Sequence, residues 1–122
     1  MTGNRRIQKK EEVLNFLFQF KKLAGNMGRN TELAERGKNF QTIIKLNLTI
    51  LRAKEILLTL TYKNYISGPY KREDGPGNLW EFILVLDGNA IYIKLCDDFS
   101  NCFPLCISFH EPEKPFKLFF ED

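Results

Sequence analysis

The sequence predicts an α+β protein, with helices in its first half and an antiparallel sheet in its last third. Good helix formers with apolar residues at helical spacing fill most of 8–60, whereas 79–110 is rich in β-branched and aromatic residues. A stretch punctuated by glycine and proline, 65–78, separates the two zones, and Asp87-Gly88 is a strong hairpin signal inside the second. With 122 residues, 43% of them hydrophobic, the chain is long enough for one core and too short for two, so 1–122 is expected to be a single domain.

Residues 8–24 form the first expected helix, part of an N-terminal segment 1–25 that closes at Gly25. Its apolar residues make two stripes, Leu14, Leu17 and Phe18 beside Val13, Phe16 and Phe20. A helix apolar on that many sides is either well buried or covered by a partner. Residues 26–38 read as a polar connector with Leu33-Ala34-Glu35-Arg36 as its one short strand. Next, 39–46 places Phe40, Ile43, Ile44 and Leu46 at helical spacing and stops at Asn47, which tolerates left-handed backbone. Thr49 suits the N-cap of a further helix reaching Leu60, which makes 39–60 a helix pair. Residues 65–78 read as a loop, because Ser67-Gly68-Pro69 and Gly75-Pro76-Gly77 bracket the charged Lys71-Arg72-Glu73-Asp74. Strands follow at 79–86, through Ile91-Tyr92-Ile93-Lys94 and at 104–110, with the phenylalanine-rich tail ending at Phe120 as a last edge strand of a sheet spanning 79–120.

Side chains alternate between the faces of a strand. Tyr92 and Lys94 therefore share one side and Ile91 and Ile93 the other, while Cys106, Ser108 and His110 oppose Leu105, Ile107 and Phe109. A two-residue Asp87-Gly88 loop pairs Glu81 with Lys94 and Ile83 with Tyr92, so Glu81 joins the same face; a three-residue loop puts Trp80 there instead. If the strands are neighbours, the chain's single histidine, His110, shares that surface.

Composition and motifs narrow the function classes. A net charge of +3 and a pI near 8.8 permit a polyanionic partner without requiring one. The longest apolar run near the N-terminus, 13–20, is short and closed by Lys21-Lys22, and Arg5-Arg6 is followed by charged residues where an export signal turns apolar, so a cytoplasmic protein is expected. Cys96, Cys102 and Cys106 then read as reduced thiols. Gly75-Pro76-Gly77 precedes a strand rather than a helix, which argues against phosphate-loop nucleotide binding. The three cysteines and His110 lack a close CxxC-type pair, and the four-residue spacing of Cys106 and His110 disfavours both a shared zinc and a nucleophilic pair, so no metal or cofactor is expected.

An imidazole, a phenol, an ammonium and a carboxylate on one face suit RNA cleavage by the RNA's own 2′-hydroxyl. That reaction needs a base for the 2′-hydroxyl proton, an acid for the leaving 5′-oxygen and a cation near the pentavalent phosphate. His110 can be acid or base, Glu81 a base, Lys94 a phosphate stabiliser and Tyr92 a hydrogen-bond donor. Lys71 and Arg72 can clamp phosphate from their loop. Each residue also has a bland reading: His110 as a strand end, Tyr92 as packing, Glu81 with Lys94 as a cross-strand ion pair, and the charged loop as a solvated turn.

About two thirds of the chain, from Lys38-Asn39 onward, resembles the MqsR family of type II toxin-antitoxin toxins, a branch of the RelE-like messenger RNA interferases. The resemblance is carried by Lys38-Asn39 with Thr42-Ile43, Leu48-Thr49 with Ala53-Lys54-Glu55-Ile56-Leu57, Asn64-Tyr65-Ile66-Ser67-Gly68-Pro69, Gly75-Pro76-Gly77, Leu79-Trp80, Asp87-Gly88, Ile91-Tyr92-Ile93-Lys94 and Cys106-Ile107-Ser108-Phe109-His110. It implies a RelE-like α+β fold with helices on an antiparallel sheet, metal-independent messenger RNA cleavage at short motifs, and a cognate antitoxin protein that silences the toxin. It places family active-site positions on Tyr92, on His110 directly after Ser-Phe and on Glu81 directly after Trp80, and leaves Ser67, Trp80 and Ser108, with Lys71 and Arg72, as RNA-binding candidates. The better-known branch has lysine at the position of His110, glutamine at that of Glu81 and a further catalytic lysine near Ser67. A non-catalytic RNA- or protein-binding module of the same fold is the rival reading.

Overall fold

A computed structural model describes residues 2–100 and 103–120. The fold is α+β, with three α-helices and a five-stranded mixed sheet among the described residues. The first helix, α1 (Thr2–Ala24), leads through a 3-10 turn at Asn26–Gly28 to a two-residue strand, β1 (Glu32–Leu33). Then follow α2 (Gly37–Lys45), α3 (Ile50–Leu57), a 3-10 turn at Tyr62–Asn64, and the strands β2 (Tyr65–Lys71), β3 (Asn78–Leu86), β4 (Asn89–Cys96) and β5 (Leu105–His110).

Local chemistry explains the helix limits. Gly25 takes a positive φ of 75°, closing α1, and Asn47, at φ 58°, turns the chain between α2 and α3. Thr49 caps α3 by accepting a hydrogen bond from the Arg52 amide at 3.0 Å. The Val13, Phe16 and Phe20 stripe of α1 is buried together with Leu17, while Leu14 and Phe18 of the other stripe stay exposed, as does Ile7. No helix among the described residues is long and apolar enough to cross a membrane.

The sheet order is β1-β5-β4-β3-β2, and its pairs are antiparallel except β1 with β5, so the expected all-antiparallel sheet is corrected to a mixed one. The short strand expected at 33–36 sits at Glu32–Leu33 because Ala34 to Arg36 leave the sheet to start α2. Residues 65–71, expected in a loop, form β2 instead and extend the sheet past β3, leaving only the shorter turn before Asn78. The β3–β4 hairpin has the counted register, Glu81 opposite Lys94 and Ile83 opposite Tyr92, across Asp87 and Gly88, both with positive φ.

One face of the sheet makes the core with the helices. Trp80, Phe82, Ile91, Ile93, Leu95, Cys106 and Phe109 pack there against Val13, Phe16, Leu17 and Phe20 of α1, Ile43 of α2, and Ala53, Ile56 and Leu57 of α3. Among its described residues the tail forms no edge strand. It leaves β5 at Glu111 and lands on the far strand, where the Phe119 amide donates to the Tyr65 carbonyl at 3.1 Å and Phe120 is buried beside Tyr62 and Tyr65. Its two prolines and, among the described residues, one backbone bond to β2 give it a strap's role rather than a ladder.

Candidate functional site

Three β-bulges decide what reaches the open face. Strict alternation puts Tyr65 and Ser67 on one side of β2, yet Tyr65 pairs with Phe82 on the core face and Ser67 with Glu81 on the open face, because an extra residue lies between them. A second irregularity at Gly68-Pro69 returns Tyr70 to the open face opposite Leu79. Gly68 has φ 106°, and a Cβ there would stand 2.4 Å from the Leu79 carbonyl oxygen, so only glycine fits the bend. In β5, Ser108 pairs with Lys94 but Cys106 with Leu95, leaving Ile107 as the extra residue. The expectation that Cys106 shares a face with Ser108 and His110 is therefore corrected: Cys106 is wholly buried in the core.

Asn39 secures the β5 bulge. Fully buried at the start of α2, its amide donates to the Ala34 and Ile107 carbonyls, both at 3.0 Å, and its oxygen accepts from the Phe109 amide at 2.9 Å. Two backbone groups at the bulge, the Ile107 carbonyl and the Phe109 amide, are thus satisfied by one side chain, which also ties the bulge to the Ala34 carbonyl before α2.

The open face floors a cleft of about 880 Å³. Ser67, Tyr70, Glu81, Tyr92, Lys94, Ser108 and His110 line it, and Arg36 to Lys38 and tail residues 112–117, joined by the Lys38–Glu113 ion pair, complete the lining. Five of the lining side chains are basic (Arg36, Lys38, Lys94, Lys114 and Lys117) and two acidic (Glu81 and Glu113), so the cleft is electropositive. Tyr92 pairs directly with His110, their ring centroids 5.4 Å apart.

Glu81 is the hub of the hydrogen bonding. One carboxylate oxygen accepts from the Ser67 hydroxyl and the other from the Tyr92 hydroxyl. Burial, reinforced by Glu81, pushes the Tyr70 hydroxyl up to about 12 and raises that of Tyr92 further, so both phenols stay protonated and act as donors. Lys94 forms no ion pair with Glu81 among the described residues; its ammonium stands 5.8 Å from the Tyr92 ring centroid. The His110 Nδ1 lies 2.8 Å from the Glu111 carbonyl oxygen, which can only accept. A neutral imidazole there carries its proton on Nδ1, leaving Nε2 with a lone pair. Arg36 Nη1 donates to the Ser108 hydroxyl at 3.3 Å and brings a guanidinium to the cleft.

The four catalytic candidates, His110, Tyr92, Glu81 and Lys94, thus come together, and Ser67 and Ser108 join them. Trp80 does not. It pairs with Leu95 on the core face, stacks on Phe16 with centroids 4.5 Å apart, and donates its indole N–H to Asp97 at 3.1 Å. Lys71 and Arg72 do not line the cleft either: Lys71 ends β2 opposite Asn78, and Arg72 is bonded to Asp74 at 3.0 Å. Among the described residues no group of three or more His, Cys, Asp or Glu is placed to hold a metal ion, and Cys102 lies outside them.

Sequence reasoning missed Arg36, Tyr70, Asn39 and the tail. A glycine-proline pair within a strand-forming run is a bulge signal and could have exposed Tyr70. The open sheet face defines the class at the level of architecture: an α+β protein with a basic cleft holding a carboxylate, phenols, a lysine and an imidazole. The chain matches no protein-family model, no curated protein and no solved structure.

Proposed function

We propose that the protein is a metal-independent endoribonuclease of RelE-like fold, an MqsR-type toxin of the cytoplasm held in check by a cognate antitoxin. The observation that carries this reading is the convergence of His110, Tyr92, Glu81 and Lys94 on one electropositive cleft floor, drawn from three adjacent strands. Nε2 of His110 takes the proton of the RNA 2′-hydroxyl. The oxygen then attacks the adjacent phosphorus, a bond to O2′ forms, the bond to O5′ breaks, and the 5′-oxygen leaves with a proton from solvent in the open cleft. Lys94 and Arg36 stabilise the charge on the pentavalent phosphate. Glu81, with both oxygens accepting hydroxyl protons, holds Ser67 and Tyr92 in place and serves as a positioning group more readily than as a free base. The exposed Ile7, Leu14 and Phe18 on α1 suit a surface that a protein partner covers.

Incubating the purified protein with defined RNAs in excess chelator tests the assignment. The parent should cut, His110→Ala should lose roughly 10²- to 10⁴-fold in rate, the usual worth of a general base, and Tyr92→Phe should lose less. RNA that is bound but never cut sinks the catalytic reading in favour of a binding module, and unimpaired cutting by both variants removes His110 and Tyr92 from the catalytic assignment.

A further inference from the structure

The tail is more than a cover for the sheet end. From β5 to β2 the sheet measures about 14 Å at ~4.8 Å per strand, and the chain from Glu111 to Phe119 can reach about 26 Å when extended. The surplus lets the strap bow outward as one wall of the cleft. Both ends are held. Lys45 pairs with Glu111 and Lys38 with Glu113 near β5, while Phe119 and Phe120 pack against the Tyr65 ring near β2.

Between these anchors, Phe116 lines the cleft and is 44% exposed. Its ring differs from those of Phe119 and Phe120, each of which meets other aromatic rings; Phe116 has no such contact among the described residues. Lys114 and Lys117 flank it on the same wall, and Pro115 restrains the backbone before it. A bare aromatic face between two ammonium groups, held in a basic cleft, matches what an unstacked base and its phosphates require of a single-strand platform.

We propose that Phe116 is a nucleobase-stacking residue, with Lys114 and Lys117 holding the adjoining phosphates, so that the tail helps seat a nucleotide in the cleft. This rests on the reading of the cleft as an RNA site. It adds a binding element from a segment outside the strands that carry the chemistry.

Two uncleavable probes test it: a 2′-O-methyl hexanucleotide and an abasic backbone of equal length. Phe116→Ala should bind the hexanucleotide about tenfold more weakly than the parent does and the abasic probe equally well. The indole introduced by Phe116→Trp should preserve hexanucleotide affinity, and its fluorescence should be quenched by that probe and not by the abasic one. Unchanged hexanucleotide affinity in Phe116→Ala, or an equal loss for both probes, overturns the platform while the RNA site stands. A parent that binds neither probe overturns both.

Discussion

The two faces of the sheet are built by the same strands to opposite ends. On one, Trp80, Phe82, Ile91, Ile93 and Leu95 meet the helices in an apolar layer; on the other, Glu81, Tyr92 and Lys94 face an open cleft. Adjacent residues thus do unrelated work. Phe82 is fully buried, whereas the Glu81 carboxylate next to it gathers hydroxyl donors from two other strands. The apolar face sets stability and the polar face sets chemistry, and the bulges keep each side chain on its own side.

The largest separation should appear at that adjacent pair. Phe82→Ala should cost about 3–5 kcal/mol of unfolding free energy, the usual toll of a large aromatic cavity, whereas Glu81→Gln should change stability by less than about 1 kcal/mol and still slow RNA cleavage. Urea titrations beside cleavage assays read both quantities. A Glu81→Gln protein as unstable as Phe82→Ala would mean that the faces are not independent.

Asn39 should be the residue that couples them. Asn39→Ala leaves the Phe109 amide without its acceptor and the Ile107 carbonyl without its Asn39 donor, while the Ala34 carbonyl keeps the Arg36 amide alone. A loss of about 1–3 kcal/mol is expected, together with slower cleavage even where the variant is fully folded, because Ser108 and His110 lose the bulge that aims them. Normal cleavage by the folded variant would show that the bulge holds without its clamp.

The smallest effect concerns alkaline stability. Burial and the neighbouring carboxylate raise the Tyr92 hydroxyl, so the folded chain keeps a proton that the unfolded chain releases. The stabilisation is complete below the ordinary tyrosine value of 10.0 and is lost as pH rises toward the folded value; Tyr70, pushed up to about 12, acts the same way. Stability should therefore fall more steeply between about pH 9 and about pH 11 in the parent than in Tyr92→Phe. Equal slopes in urea unfolding would remove Tyr92 from the account.

Much of this arrangement could be read from the residues alone, for identifiable reasons. Periodicity and caps located α2 and α3, and Asp87-Gly88 established a register that placed Glu81 beside Tyr92 and Lys94. Bulges defeated the rest. A one-residue insertion leaves composition unchanged but reverses every later side chain, which is why Cys106 went to the wrong face and Tyr70 was lost in a supposed loop. Trp80 would reach the open face only across a three-residue loop; the two-residue register gives that face to Glu81, and neighbours along a strand face opposite ways. The tail's place was unreadable because its landing point on Tyr65 is a tertiary contact between distant segments.

The central claim is that the open face directs a 2′-hydroxyl against its neighbouring phosphate. The most direct measurement uses an RNA that the protein cuts at one site, remade with a single 2′-deoxy nucleotide on the 5′ side of that bond and assayed in chelator. The account expects cutting there to disappear while other sites are still cut, and the normal products to carry a 2′,3′-cyclic phosphate and a 5′-hydroxyl. Undiminished cutting at the deoxy position would contradict it.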